Sequence, residues 1–234
     1  MKAVVFDFDG VIANSEPLHF RAFRDVLADE GVTLSESEYY ERYLGYNDER
    51  TFQEIGLEQG RRWDSRSIAD LTARKALVTA DLERDGAILF PGAREVIEHL
   101  APRCPLAIAS GALRAEIQRT LDREGLARHF SVIVSADDGG ASKPAPDPYR
   151  HAVERLSRTL RLVAPLDAAD CAAIEDSPWG LDSARAAGLW TVAITHTYPA
   201  AALAAADLII DRLQALTWAV LCSLNDRAGG AQAP

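Results

Sequence analysis

Asp7 and Asp9 stand two residues apart where the apolar run Val4-Val5-Phe6 gives out and Gly10 breaks the pattern. Carboxylates at the end of a buried segment are costly without a partner, and a bound cation is the usual one. On an extended strand residues i and i+2 share a face, so the spacing predicts that both side chains point the same way. By itself an Asp-x-Asp pair is also what an ordinary strand running into an acidic turn looks like. What weighs against that plainer reading stands further along the chain: Ser110-Gly111, then Lys143 ahead of Pro144-Ala145-Pro146-Asp147, then Glu175-Asp176-Ser177.

Each of these groups follows an apolar run. The run from Val4 that ends at Asp7, Pro105–Ser110, Val132–Ser135, Cys171–Glu175, Thr191–Ile194 and Leu208–Ile210 read as strands, and the stretches between the later ones read as helices. Pro91-Gly92 opens a helix to about Leu100, and Ala112–Glu124 forms the next. Another ends near Leu160, and Ser177 caps one with Pro178 at its first position and Gly188 past its end. Strands alternating with helices imply a doubly wound parallel sheet, an α/β fold whose ligands bind outside the carboxyl ends of the strands. The region from Ser15 to Ile88 is different. Ser15 as N-cap with Pro17 behind it opens a helix to about Gly31, and Glu36–Leu44, Asp48–Ile55 and Ser65–Leu82 follow with no strand between them. The expected organisation is a catalytic core of residues 1–14 and 89–224, a helical insertion of residues 15–88, and a polar, disordered tail of residues 225–234.

The chain has 234 residues, 48% of them hydrophobic and 26% charged, which is the profile of a globular protein with a sizeable core. Its net charge of −10 argues against nucleic acid or an anionic membrane surface as partner. No run reaches the roughly 20 apolar residues of a membrane span, and no signal peptide is evident. Cys104, Cys171 and Cys222 are odd in number and lack metal-ligand spacing. They suit reduced thiols in a cytoplasmic protein.

In a parallel sheet the polar groups above converge on one edge, where carboxylates, a hydroxyl, a lysine and backbone amides can hold a metal ion and a phosphate. A carboxylate can attack phosphorus, a metal can offset repulsion between anions, and a second carboxylate can move the proton. A hydroxyl, a lysine and amides at a helix start can hold the remaining phosphate oxygens. At this point the motifs Asp7-Phe8-Asp9-Gly10-Val11, Ala109-Ser110-Gly111, Lys143-Pro144-Ala145-Pro146-Asp147 and Ile174-Glu175-Asp176-Ser177 resemble, in order, the four motifs of the haloacid dehalogenase superfamily. The resemblance covers nearly the whole chain, and the helical insertion looks like the cap of the β-phosphoglucomutase and phosphoglycolate phosphatase branch.

That resemblance implies a Rossmann-like core and a set of roles. Asp7 is implied as nucleophile. Asp9 is implied as general acid and base, with its backbone carbonyl on the metal. Ser110, Gly111 and Lys143 would bind the transferring phosphate, Asp176 would ligate Mg²⁺, and Glu175 would help position the ion through water. Dehalogenases resemble the chain at Asp7 but lack a carboxylate two residues on, so Asp9 points to phosphate esters. The cap of this branch reads the substrate. His19 and Lys75 match positions used there, although a histidine on a helix is commonly structural and a lysine commonly lies on a solvated face. The turn Gly45-Tyr46-Asn47-Asp48-Glu49-Arg50 resembles the substrate loop. Mutases of the branch tend to carry arginine three residues after that glycine, where this chain has Asp48, with Arg50 two further on. With 16 acidic and 10 basic residues between Ser15 and Ile88, bulk attraction is not the device that draws a phosphate there.

The expected function is therefore a Mg²⁺-dependent phosphatase acting through an aspartyl-phosphate on a small phosphorylated metabolite, such as a sugar phosphate. The protein is expected to be a monomer or small homo-oligomer. A β-phosphoglucomutase-like mutase is the alternative and shares every core residue. A catalytically inactive binding protein is disfavoured because each motif position is filled.

Overall fold

A computed structural model describes residues 1–44, 46–83, 88–160 and 164–230. The chain divides into two compact units, Met1–Asn14 with Leu89–Pro234, and Ser15–Ile88.

The first unit begins with β1 (Ala3–Phe6), every residue of which is buried. After the insertion come α5 (Ala93–Leu100), β2 (Leu106–Ala109), α6 (Arg114–Arg123), β3 (Phe130–Val134) and α7 (Asp147–Thr159). These are followed by β4 (Cys171–Glu175), α8 (Pro178–Ala186), β5 (Trp190–Ile194), β6 (Leu208–Ile210) and α9 (Trp218–Gly230). The six strands form one parallel sheet in the order β3-β2-β1-β4-β5-β6. The fold is the doubly wound α/β sheet that the alternation of strands and helices predicts. β1 pairs with β2 on one side (Phe6 opposite Ile108) and with β4 on the other (Phe6 opposite Ile174). Its carboxyl end is where the strand order reverses, the place such sheets use for ligands. Continuous burial along β1, β2 and β4 reflects helices covering the sheet. One face packs Val5, Ala107, Ala109, Ala173 and Val134 with Tyr149, Ala152 and Leu156 of α7.

The second unit holds α1 (Glu16–Asp29), α2 (Glu36–Glu38), α3 (Asp48–Glu58) and α4 (Ser65–Glu83). Phe20, Phe23, Val26, Leu27, Phe52, Ile55 and Leu71 make its core. Two local expectations change. Ser15 makes no side-chain capping bond, its backbone being already helical (φ −81°, ψ −22°). The single helix expected over Glu36–Leu44 is instead the short α2, opened by a Ser35/Glu38 capping box, running into a π-turn at Tyr39–Tyr43. The wider turn buries both tyrosine rings while their hydroxyls bond Glu16 and Glu58.

The expected disordered tail from Asn225 also changes, because α9 continues to Gly230. Its amphipathic start anchors Leu221 and Leu224 in the core and the helix propagates beyond them. Residues 231–234 of that tail, and Gly45 of the turn singled out above, lie outside the described residues. No helix among the described residues is long and apolar enough to cross a membrane.

Candidate active site

Asp7 is the first residue past β1. Its amide extends the ladder to β4 by bonding the Ile174 carbonyl at 2.9 Å, and its Oδ1 accepts the Phe8 amide at 2.7 Å. There the chain leaves the strand. Phe8 lies in a bend, and the Ile12 and Ala13 amides both return to the Phe8 carbonyl, at 2.8 and 2.9 Å. The strand ends at Phe6, so the extended backbone on which the expected common face of Asp7 and Asp9 rested does not reach them. A turn places Asp9, half-buried and bridged to Ala13. Gly10 is needed in that turn on two counts. Its φ of +77° lies in the left-handed region, and a Cβ there would stand 1.9 Å from Asp176 Oδ2.

Lys143, Glu175 and Asp176 converge on Asp7. The lysine Nζ lies 3.0 Å from Asp7 Oδ1 and donates to Glu175 Oε1 at 2.7 Å. Glu175, the last residue of β4, is fully buried. Its Oε1 also accepts the Tyr149 hydroxyl at 2.6 Å, and its Oε2 accepts the Ser177 hydroxyl at 3.1 Å and the Asp176 amide at 3.2 Å. Each glutamate oxygen thus has two partners from the protein. Gly180 makes room for this group, as a Cβ there would fall 2.0 Å from the Glu175 carboxyl carbon. Ser177 in turn caps α8 by accepting the Gly180 amide at 3.2 Å.

The electrostatics follow from crowding anions in a buried place. Burial, aggravated by Glu175 and Asp9 and opposed by Lys143, pushes the Asp7 carboxyl up to about 7. Burial and the neighbouring Glu175 and Asp7 hold Asp176 well above the usual carboxylate range, against a bond from Thr197. Burial disfavours the charge on Lys143, but Asp7 and Glu175 outweigh it and raise its pKa. Asp7, Glu175 and Asp176 offer carboxylate oxygens within 4.8 Å of one another. An all-oxygen, mutually repelling set of this kind fits a hard divalent cation.

Ser110 stands past β2 beside β1, buried, its amide bonded to the Val134 carbonyl at 3.0 Å. Its Oγ accepts the Ala112 amide at 3.0 Å, and Gly111 next to it is exposed. The loop after β3 that leads to Lys143 is braced by Asp138. That carboxylate accepts the Ser135 amide at 2.9 Å, Arg114 at 2.5 Å and Arg155 at 2.8 Å. Sequence reasoning missed three contributors. Tyr149 bonds Glu175, Thr197 bonds Asp176, and the His196 ring bonds the Gly10 carbonyl through Nδ1 at 2.9 Å. For His196 and Thr197 the only pointer was the apolar strand before Thr195, whose end shares the edge with the other motifs; nothing pointed to Tyr149.

In the helical unit the structure brings together His19 and Lys75, not Arg50. Lys75 is buried rather than solvated, donates to Asp48 Oδ1 at 2.8 Å, and lies 2.6 Å from His19 Nδ1. Its ammonium sits 4.8 Å from the centre of the Phe23 ring. Burial and the adjacent lysine keep the His19 pKa well below normal, so His19 is neutral and accepts the bond. Arg50 is exposed, with its guanidinium stacked 3.8 Å over the Tyr46 ring.

A parallel α/β sheet here gathers a carboxylate cluster and a buried lysine at the end of its central strand, an arrangement that can hold a cation beside an anionic group. The chain belongs to the haloacid dehalogenase-like hydrolases, whose family model matches residues 1–188. It is 32% identical to the phosphorylated carbohydrates phosphatase of Thermotoga maritima, over 81% of this chain and 82% of that one. CbbY from Rhodobacter sphaeroides, solved in complex with xylulose-(1,5)bisphosphate, superposes with a TM-score of 0.81 at 27% identity, covering 94% of this chain and 99% of that one. The β-phosphoglucomutase of Clostridium difficile shares the fold, with a TM-score of 0.81 at 18% identity over 97% and 98% of the two chains.

Proposed function

We propose that the chain is a Mg²⁺-dependent phosphatase that hydrolyses a small phosphorylated metabolite, a sugar phosphate or a related polyol or acid phosphate, through an aspartyl-phosphate on Asp7. The observation that carries this reading is the Asp7 carboxylate, held by Lys143 and a backbone amide at the end of the central strand among buried carboxylates. Asp7 Oδ1 takes both of those bonds, and Oδ2 is assigned the attack on phosphorus. The ester oxygen leaves with the proton of Asp9. Asp9 then takes a proton from water as the water oxygen attacks the aspartyl-phosphate, which returns free Asp7 and releases inorganic phosphate. Lys143, Ser110 and the Gly111 amide hold the transferring phosphoryl group.

Asp7, Asp176 and the Asp9 carbonyl would hold the cation. When bound, it neutralises charge shared between phosphate and carboxylates. Glu175, with both oxygens engaged by the protein, keeps Lys143 and the start of α8 in place and would help hold the ion through water. The helical unit is assigned the reading of the substrate's non-reacting part. Arg50 is the exposed candidate there, whereas His19, Lys75 and Asp48 satisfy one another. Asp48 at the mutase arginine position, committed to Lys75, favours hydrolysis over isomerisation.

The test is phosphate release from a panel of phosphorylated metabolites with and without Mg²⁺. Turnover is expected for a subset, reversibly lost on chelation and abolished in Asp7→Asn. Full activity after exhaustive chelation, or from pure Asp7→Asn, would overturn the mechanism. Efficient isomerisation of a hexose 1-phosphate primed with a bisphosphate would replace hydrolysis by the mutase reaction.

A further inference from the structure

The segment after β5 touches the site twice, and α8 once, in three residues. His196 Nδ1 lies 2.9 Å from the Gly10 carbonyl, Thr197 bonds Asp176, and Tyr198 packs edge-on against Trp179 of α8 (centroids 5.4 Å apart, 82°). The segment is itself rooted, because the Thr195 amide bonds the Ile210 carbonyl of β6 at 3.1 Å.

His196 holds the turn rather than the cluster. A carbonyl oxygen only accepts, so the ring carries a proton on Nδ1 and donates it to Gly10. The ring lies flat against Phe90, with centroids 3.9 Å apart and an interplanar angle of 18°. Phe90 is bonded to the same turn through its amide, which donates to the Ile12 carbonyl at 2.9 Å. The turn needs this support. Glycine supplies the left-handed conformation but is the residue with the widest backbone freedom. The bond from the Gly10 amide to the Ala13 carbonyl, at 2.9 Å, restrains the peptide on its amino side. The bond from His196 restrains the peptide on its carbonyl side. Asp9 is the residue immediately before this doubly tied glycine.

We propose that His196 is a positioning residue for Asp9: by fixing the Gly10 peptide through Nδ1–H, with its ring braced on Phe90, it aims the acid–base carboxyl at the leaving oxygen. The inference rests on the reading of Asp9 as the proton donor. His196 acts on protonation of the leaving group, not on phosphate capture.

Two substrates of one shape separate these effects. p-Nitrophenol leaves readily as an anion, whereas phenol leaves poorly without a proton, so p-nitrophenyl phosphate and phenyl phosphate differ in their demand on Asp9. His196→Phe keeps a ring to stack on Phe90 but has no donor, and His196→Asn keeps a donor near the place of Nδ1. In the Mg²⁺-loaded enzyme, His196→Phe is expected to lower kcat on phenyl phosphate by about 10- to 100-fold, the scale of a misaimed catalytic group. The loss on p-nitrophenyl phosphate should be far smaller, KM should be little changed, and His196→Asn should recover most of the lost rate. Equal losses on both substrates, no loss on either, or no advantage of His196→Asn over His196→Phe would overturn the proposal. Asp9→Asn is measured beside them. If it too spares p-nitrophenyl phosphate while His196→Phe does not discriminate, only the assignment to His196 fails. If Asp9→Asn keeps full turnover of phenyl phosphate, the acid–base reading of Asp9 fails and the inference with it. Thermal melts establish folding, and should His196→Phe not fold, His196→Ala takes its place in the same comparison.

Discussion

Replacing Asp7 by asparagine should abolish turnover and yet make the metal-free protein more stable above neutral pH. The folded-state pKa of Asp7 is raised from 3.8 to about 7. Between those values the folded protein keeps a proton that the unfolded chain has released, so stability falls as pH rises through the window. The penalty is complete above pH 7 and absent below pH 4. At about 1.36 kcal/mol per pH unit, holding the proton across that window amounts to about 4 kcal/mol. Asparagine does not titrate, and its oxygen can still accept Lys143 and the Phe8 amide, but its buried NH₂ must find an acceptor, which costs about 1–3 kcal/mol. A net gain of about 1–3 kcal/mol remains at pH 8.5, or roughly 2–4 °C in Tm per kcal/mol for a chain of this size. Urea denaturation in chelator at pH 5 and pH 8.5 measures it. The variant should gain on the parent as pH rises. Saturating Mg²⁺ should reverse the order, because only the parent keeps the carboxylate ligand. A variant less stable than the parent at pH 8.5 in chelator, or a difference independent of pH, would refute the account of Asp7 as a buried, repelled carboxylate.

Lys75→Met should destabilise the protein by about 1–3 kcal/mol in urea denaturation. This is less than a fully buried pair would lose, since the Asp48 side chain is about one-third exposed. A neutral substitution would mean that the pairing does not hold the helical unit together. Gly180→Ala should lower kcat on every substrate and lower Tm as well, because the new methyl group meets the Glu175 carboxyl and must displace it from Lys143 and Tyr149. Unchanged kinetics would show that the position of Glu175 is not critical.

Much of the core was legible because a parallel sheet turns sequence order into spatial order. Asp7, Ser110, Lys143 and Asp176 each follow a strand and Glu175 ends one, and parallel strands carry their ends and whatever follows them to one edge. What escaped depends on geometry that periodicity does not encode. Asp9 is aimed by a turn whose bonds close on Phe8, not by strand alternation. Tyr149 reads as an ordinary apolar position of α7, and it is one, with only its hydroxyl reaching Glu175. Lys75 has the composition of a solvated residue. Its burial depends on His19 and Asp48, which lie far from it in sequence and complete its bonds. His196 and Thr197 lie between β5 and β6 without any motif, and their value comes from reaching back to Gly10 and Asp176.

The placement of β1 carries a consequence for synthesis. Ala3 pairs with Cys171, and Val4 pairs with Leu106, so β1 meets neither neighbour until far more of the chain has been made. The helical unit is one unbroken segment with its own apolar centre. Emerging from the ribosome, Ser15–Ile88 can assemble on local contacts while β1 waits, an apolar strand with both edges open. β2 covers one edge when it appears, but the other stays exposed until β4 is complete. The same late strand brings Glu175 and Asp176, so β1 gains its second neighbour and the carboxylate cluster forms in a single event.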